Sequence, residues 1–179
     1  MFAKLKNQYS IKDYSTRGLQ MSYGNEVDGE FKGIEYHYAD TLSADKIYEV
    51  IPYKYRQDFA LHLMRINCAV PPHTDSGITA SINFYLNTNN CLTQYYKPNE
   101  HAARRQITNQ VEGFIFDECE LTKTDSFLAE PTDAWLLDVS LPHSVIPLGE
   151  MKSRTAFTLA TSKHSFNEVI EMLKTTGAL

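Results

Sequence analysis

The sequence predicts a mainly β fold, a double-sheet jelly roll (double-stranded β-helix) with flanking α-helices packed outside it. Three observations carry this. Short runs rich in β-branched and aromatic residues recur between turn residues; helical signals are confined to the flanks; and no repeat, low-complexity tract or Pro/Gly/Ser linker divides the chain. At 179 residues, 42% hydrophobic and 12% aromatic, the chain can bury one sizeable core but hardly two. Residues 1–179 are therefore read as a single domain, with the jelly-roll core at about 59–162.

In chain order, the runs that read as strands are 33–38, 59–67, 79–86, 92–96, 113–116, 126–129, 134–139, 143–147 and 154–161. Ahead of them, Ser43 can cap a helix reaching Ile51. After them, Ser165 and Glu168 form a capping-box pattern that opens an apolar-faced helix stopping near Gly177. The polar stretch 97–110, with His101, Arg104 and Arg105, reads as an inserted loop.

Composition excludes some functions. A formal charge of -5 leaves no broad basic field, which disfavours a nucleic-acid partner. Cys68, Cys91 and Cys119 fit no paired metal-binding pattern and cannot all pair with one another, which favours a reducing interior. The N-terminus has charge without a following apolar core, and no stretch is long enough to span a bilayer. A soluble, cytoplasmic protein with no membrane partner is expected.

The chemistry starts at Pro71-Pro-His-Thr-Asp75. On an extended chain, His73 and Asp75 leave the same face two residues apart and can converge on one ion. Six histidines would yield such a pair by chance about 0.3 times, so the pair needs support. His143 supplies it, opening an apolar segment directly after the run Ala134-Trp-Leu-Leu-Asp-Val139. Two imidazoles and a carboxylate make a facial triad, which leaves half of an octahedral Fe(II) shell open for other ligands. Eleven residues later, Arg154 begins an apolar strand and can enter the same core, where a guanidinium needs an acid. Singly, each residue has an ordinary reading: a core histidine, a turn aspartate, a surface cation. Their order and context support the metal site.

Over residues 59–161 the chain resembles the Fe(II)/2-oxoglutarate-dependent dioxygenases, most closely their prolyl-hydroxylase-type branch. The matching pieces are His73-Thr-Asp75, Phe84-Tyr-Leu-Asn87, Leu92-Thr-Gln-Tyr-Tyr96, Asp138-Val-Ser-Leu-Pro-His143-Ser-Val145 and Arg154-Thr-Ala-Phe-Thr158. The resemblance implies iron on His73, Asp75 and His143, with O2 and 2-oxoglutarate as cosubstrates. It implies that Arg154 anchors the distal carboxylate of 2-oxoglutarate, with Tyr85 donating its hydroxyl beside it and Thr93 near the same group. Strand alternation puts Asn83 on the face of Tyr85, where it would line the pocket. Two departures stand out. Asn90-Cys91-Leu92 replaces the Gly-Gly pair that many relatives carry before the position of Thr93, and His62-Leu-Met-Arg-Ile-Asn67 lacks the tyrosine they carry before His-x-Asp.

Three activities stay open. One is hydroxylation of a prolyl or other side chain in a polypeptide, releasing succinate and CO2. Another is the same chemistry on a free amino acid, small metabolite or nucleobase, where His101, Arg104 and Arg105 would meet an anionic group. The third is a jelly-roll binding domain without turnover. His37, His62 and His164 receive no role.

Overall fold

The computed structural model describes the chain apart from residues 76, 108–112 and 151, and describes only the backbone at Ile107. It is mainly β, with two antiparallel sheets and few helices.

The first sheet has seven strands. In spatial order they are β1 (Phe2–Lys4), β11 (Ala134–Asp138), β6 (Ala80–Asn87), β13 (Arg154–Thr161), β4 (Ala60–Ile66), β3 (Glu30–Thr41) and β2 (Tyr14–Val27). The second has six: β10 (Leu121–Leu128), β7 (Cys91–Pro98), β12 (His143–Pro147), β5 (Val70–Thr74), β9 (Gly113–Phe116) and β8 (Arg104–Ile107).

The period of two along each strand divides the apolar residues between two cores. On one face of the first sheet, Leu63, Ile82, Phe84, Leu136, Phe157 and Leu159 pack with residues of α1 (Ala44–Tyr48) and α2 (Phe166–Thr176). On the other, Met64, Ile66, Tyr85 and Ala156 meet Val70, Tyr95, Phe127 and Val145 of the second sheet. α2 has both halves of the expected capping box at Ser165 and Glu168, and it ends on Gly177 in the left-handed conformation.

Five sequence expectations change. Strands β1, β2 and β8 were not anticipated, and β10 begins at Leu121 rather than at 126. Strands β1, β2 and β3 extend the first sheet upstream of residue 59. α1 ends at Tyr48 rather than Ile51, and Ser43 makes no side-chain cap bond; Pro52 just beyond disfavours helical backbone before it. The stretch 97–110 is not a plain loop, because β7 runs to Pro98 and β8 pairs with β9; residues 108–110 lie outside those described. Within it, Arg104 lies over the Phe114 ring.

The hairpin β2–β3 borders the space between the sheets. Within it Gly24 pairs with Gly33. A Cβ at Gly33 would sit 2.0 Å from the Tyr23 carbonyl oxygen, so no larger residue fits there without moving a strand.

Candidate metal centre

His73 and His143 are direct register partners across β5 and β12, which brings their ring centroids to 4.3 Å. Asp75 follows the end of β5, its backbone N–H donating to the Val139 carbonyl at 2.9 Å. Its carboxylate stands 3.4 Å from His73 Nε2. One ligand atom from each of the three lies within 4.8 Å of the others, and among the described residues no other such cluster occurs. The expected triad is thus assembled by strand register.

Backbone carbonyls set the tautomers. His73 Nδ1 donates to the Pro71 carbonyl at 2.9 Å, and His143 Nδ1 to that of Leu141 at 3.0 Å. Each ring therefore keeps its Nε2 lone pair for a metal, the usual second contact of a ligating histidine. Tyr95 stacks on the His143 ring at 5.7 Å and limits its rotation.

The charges of the three groups are coupled. Burial pushes the His143 pKa down to about 4, and the neighbouring His73 pushes the same way. Burial also acts to lower the His73 pKa, but the adjacent Asp75 outweighs it and the net shift is upward. For Asp75, burial acts to raise the pKa, and the two imidazoles outweigh it and hold the carboxyl below its usual range. His143 is accordingly neutral near pH 7, and Asp75 is ionised, as metal ligation requires.

A second feature shares the cavity. Arg154 is only 2% exposed, and among the described residues its guanidinium faces no carboxylate. Nη2 donates to the Tyr85 hydroxyl at 2.5 Å and to Thr93 Oγ1 at 2.9 Å, while Nε and Nη1 have no partner. An uncompensated buried charge costs several kcal/mol, so these donors are set for an anion. Tyr85 and Thr93 thus both contact Arg154. Asn83 also lines the cavity, but it bonds to Ser81 rather than Arg154.

The cavity between the sheets has a volume of about 670 Å³ and is bordered by the triad, Arg154 and the β2–β3 hairpin. Several lining residues escaped the sequence reading, among them Tyr36, His62 and Gln20. Tyr36 on β3 is half-buried near Asp75, and desolvation followed by the Asp75 charge pushes its pKa up. His62 and Gln20 also face the cavity. Alternation in 33–38 could have paired Ile34 with Tyr36 on one face, but it does not say which face is inward.

No protein-family model matches this chain, and neither does any curated protein.

Proposed function

We propose that this chain is an Fe(II)- and 2-oxoglutarate-dependent dioxygenase that hydroxylates an unactivated C–H bond. The observation that carries the reading is one cavity lined by both a His-Asp-His ligand set and a buried guanidinium that has no counter-ion among the described residues.

Topology supports the jelly-roll reading. Strands β4, β5, β6, β7, β10, β11, β12 and β13 divide four and four, in the spatial orders β11-β6-β13-β4 and β10-β7-β12-β5. Chain neighbours β4 to β7 alternate between the sheets, as do β10 to β13. This is the winding expected of two interleaved Greek keys.

The residues fit the group they would hold. His73, Asp75 and His143 offer two nitrogens and one oxygen, a set suited to Fe(II) with positions left open. Arg154 offers Nε and Nη1 to a carboxylate, with Tyr85 and Thr93 fixing the plane of the guanidinium. Iron and 2-oxoglutarate, when bound, supply oxidation of a C–H bond by dioxygen, with succinate and CO2 as coproducts. The protein orients the cosubstrate through Arg154, holds both imidazoles through Pro71 and Leu141, and limits water with Val70, Ile115, Val139 and Val145.

The test is conversion of 2-oxoglutarate to succinate by the aerobic protein, with and without Fe(II). Fe(II)-dependent succinate formation that is lost in Asp75→Ala supports the proposal. Equal formation by both proteins overturns it.

A further inference from the structure

Beyond the triad and Arg154, the cavity has hydrogen-bonding groups that neither uses. Strands β6, β13 and β4 lie side by side, with Asn83 opposite Thr158 and Thr158 opposite His62. All three side chains face the cavity, as does Ser81. Arg154 is four residues from Thr158 on β13, so this group lies about 13 Å along the strand from the guanidinium.

The hydrogen bonds fix where the protons are. Ser81 Oγ donates its one proton to Asn83 Oδ1 at 2.9 Å. In the 2.6 Å contact between Ser81 Oγ and Thr158 Oγ1, Thr158 must therefore be the donor. Both hydroxyl protons and the Asn83 carbonyl are thereby engaged. The Asn83 amide N–H pair remains, donating to no described residue.

Acceptors complete the set. His62 Nδ1 and Gln20 Oε1 are shielded from solvent and have no partner. Burial lowers the His62 pKa and keeps the ring neutral, with one nitrogen able to accept and the other able to donate. Among the described residues no free cation lines this end. Of the described lining lysines and arginines, Lys32 pairs with Glu30 and Arg154 lies at the far end. The surroundings include Met21, Met64, Ile78 and Ala160. An anion would find no counter-charge here, and a hydrocarbon would leave donors and acceptors unpaired.

Size and spacing agree. At the roughly 30 Å³ share of a liquid water per heavy atom, the ten or so heavy atoms of 2-oxoglutarate take at most about 300 Å³. The cavity of about 670 Å³ leaves room for a second molecule. Two strand spacings, about 10 Å, separate the backbones of Asn83 and His62, a span that one amide bridges with a hydrogen bond at each end.

We propose that this end of the cavity binds an uncharged amide, its carbonyl accepting from Asn83 and its N–H donating to His62 or Gln20. Calling the bearer of that amide the substrate rests on the oxygenase reading; the binding itself does not.

The test is ligand-observed NMR titration of the full chain with isovaleramide and its charged isostere isovalerate. It is run on wild type given Zn(II) and 2-oxoglutarate, which take up Arg154, and on metal-free Arg154→Met, in which no guanidinium can hold isovalerate. Isovaleramide binds at least tenfold more tightly than isovalerate, and Asn83→Asp, which replaces the donor pair with an acceptor, erases the preference. Gln20→Leu gives a second variant, with amide affinity lowered severalfold. N-acetylalanine N-methylamide distinguishes the source: tighter binding than isovaleramide marks a peptide, weaker binding a small carboxamide, and both keep the amide site. Equal or tighter binding of isovalerate, or binding of neither probe, overturns the proposal. If Zn(II) and 2-oxoglutarate fail to bind while metal-free Arg154→Met keeps the amide preference, the oxygenase reading falls and the amide site stands.

Discussion

The two faces of the seven-stranded sheet are made from the same strands and have opposite characters. On β13, Phe157 and Leu159 point toward the helices, while Arg154 and Thr158 point into the cavity. On β6, Ile82 and Phe84 take the helix side, and Ser81 and Asn83 the cavity side. One face removes apolar surface from water; the other joins an apolar cluster to polar groups with unmet hydrogen bonds. Stability and chemistry are thus written in alternate residues of one strand, and a substitution on one face should leave the other's property in place.

The largest effect expected is on the helix side. Phe157→Ala should cost about 3–5 kcal/mol of unfolding free energy, read by urea denaturation, while metal affinity of the folded fraction is kept. A loss below about 1 kcal/mol would mean that this face does not carry the fold.

Next comes the cavity side at the triad. Asp75→Ala removes a ligand and the charge that offsets burial of His73, so Fe(II) affinity should fall by more than about 100-fold in equilibrium titration. Affinity retained within a few-fold would break the assignment.

Smaller again is Arg154→Met, which keeps an unbranched apolar stem and removes the guanidinium with its charge. The dissociation constant for 2-oxoglutarate should rise about 10–100-fold, the worth of a hydrogen bond to a charged group. An unchanged constant would show that the guanidinium serves packing alone.

The smallest effect concerns the start of α2, where Asp58 pairs with Lys163 at 2.6 Å and with His164 at 3.0 Å. Lys163 first, then His164, hold the Asp58 carboxyl below its ordinary value of 3.8. A carboxylate depressed in the folded state stabilises above its unfolded pKa, and that contribution is lost as pH falls through the folded one. Thermal melts of wild type and Asp58→Asn should therefore differ at neutral pH and converge below about pH 3.8. A constant difference across that window would rule out the pair as its source.

Much of the site was legible because strand chemistry is local. His73 and Asp75 sit two residues apart, and Arg154 opens an alternating apolar strand, so pattern and resemblance together placed them. Pairing partners were less visible. The step that brings His143 onto His73 is a contact between residues 70 apart in sequence, and only register provides it. His73 and Asp75 were read as extended chain, but the bounds of β5 were not drawn, because Pro71-Pro72 cannot donate to a ladder and leaves no alternating run to measure. Strand β2 was missed because most of its residues are exposed and no polar–apolar alternation marks it. With β2 went the hairpin wall, and with that wall Gln20 and the inward side of Tyr36. His62 was visible as a residue but not as a lining group, since a histidine on a mixed strand does not announce its face.

In the proposed site one cavity holds a metal on His73, Asp75 and His143 together with 2-oxoglutarate on Arg154. Anaerobic titration of the metal-free protein with Fe(II) and 2-oxoglutarate tests it, read by the weak visible charge-transfer band of the iron chelate. A band in wild type that is absent from His143→Ala is the predicted result. A well-folded wild type that gives no band would contradict the account.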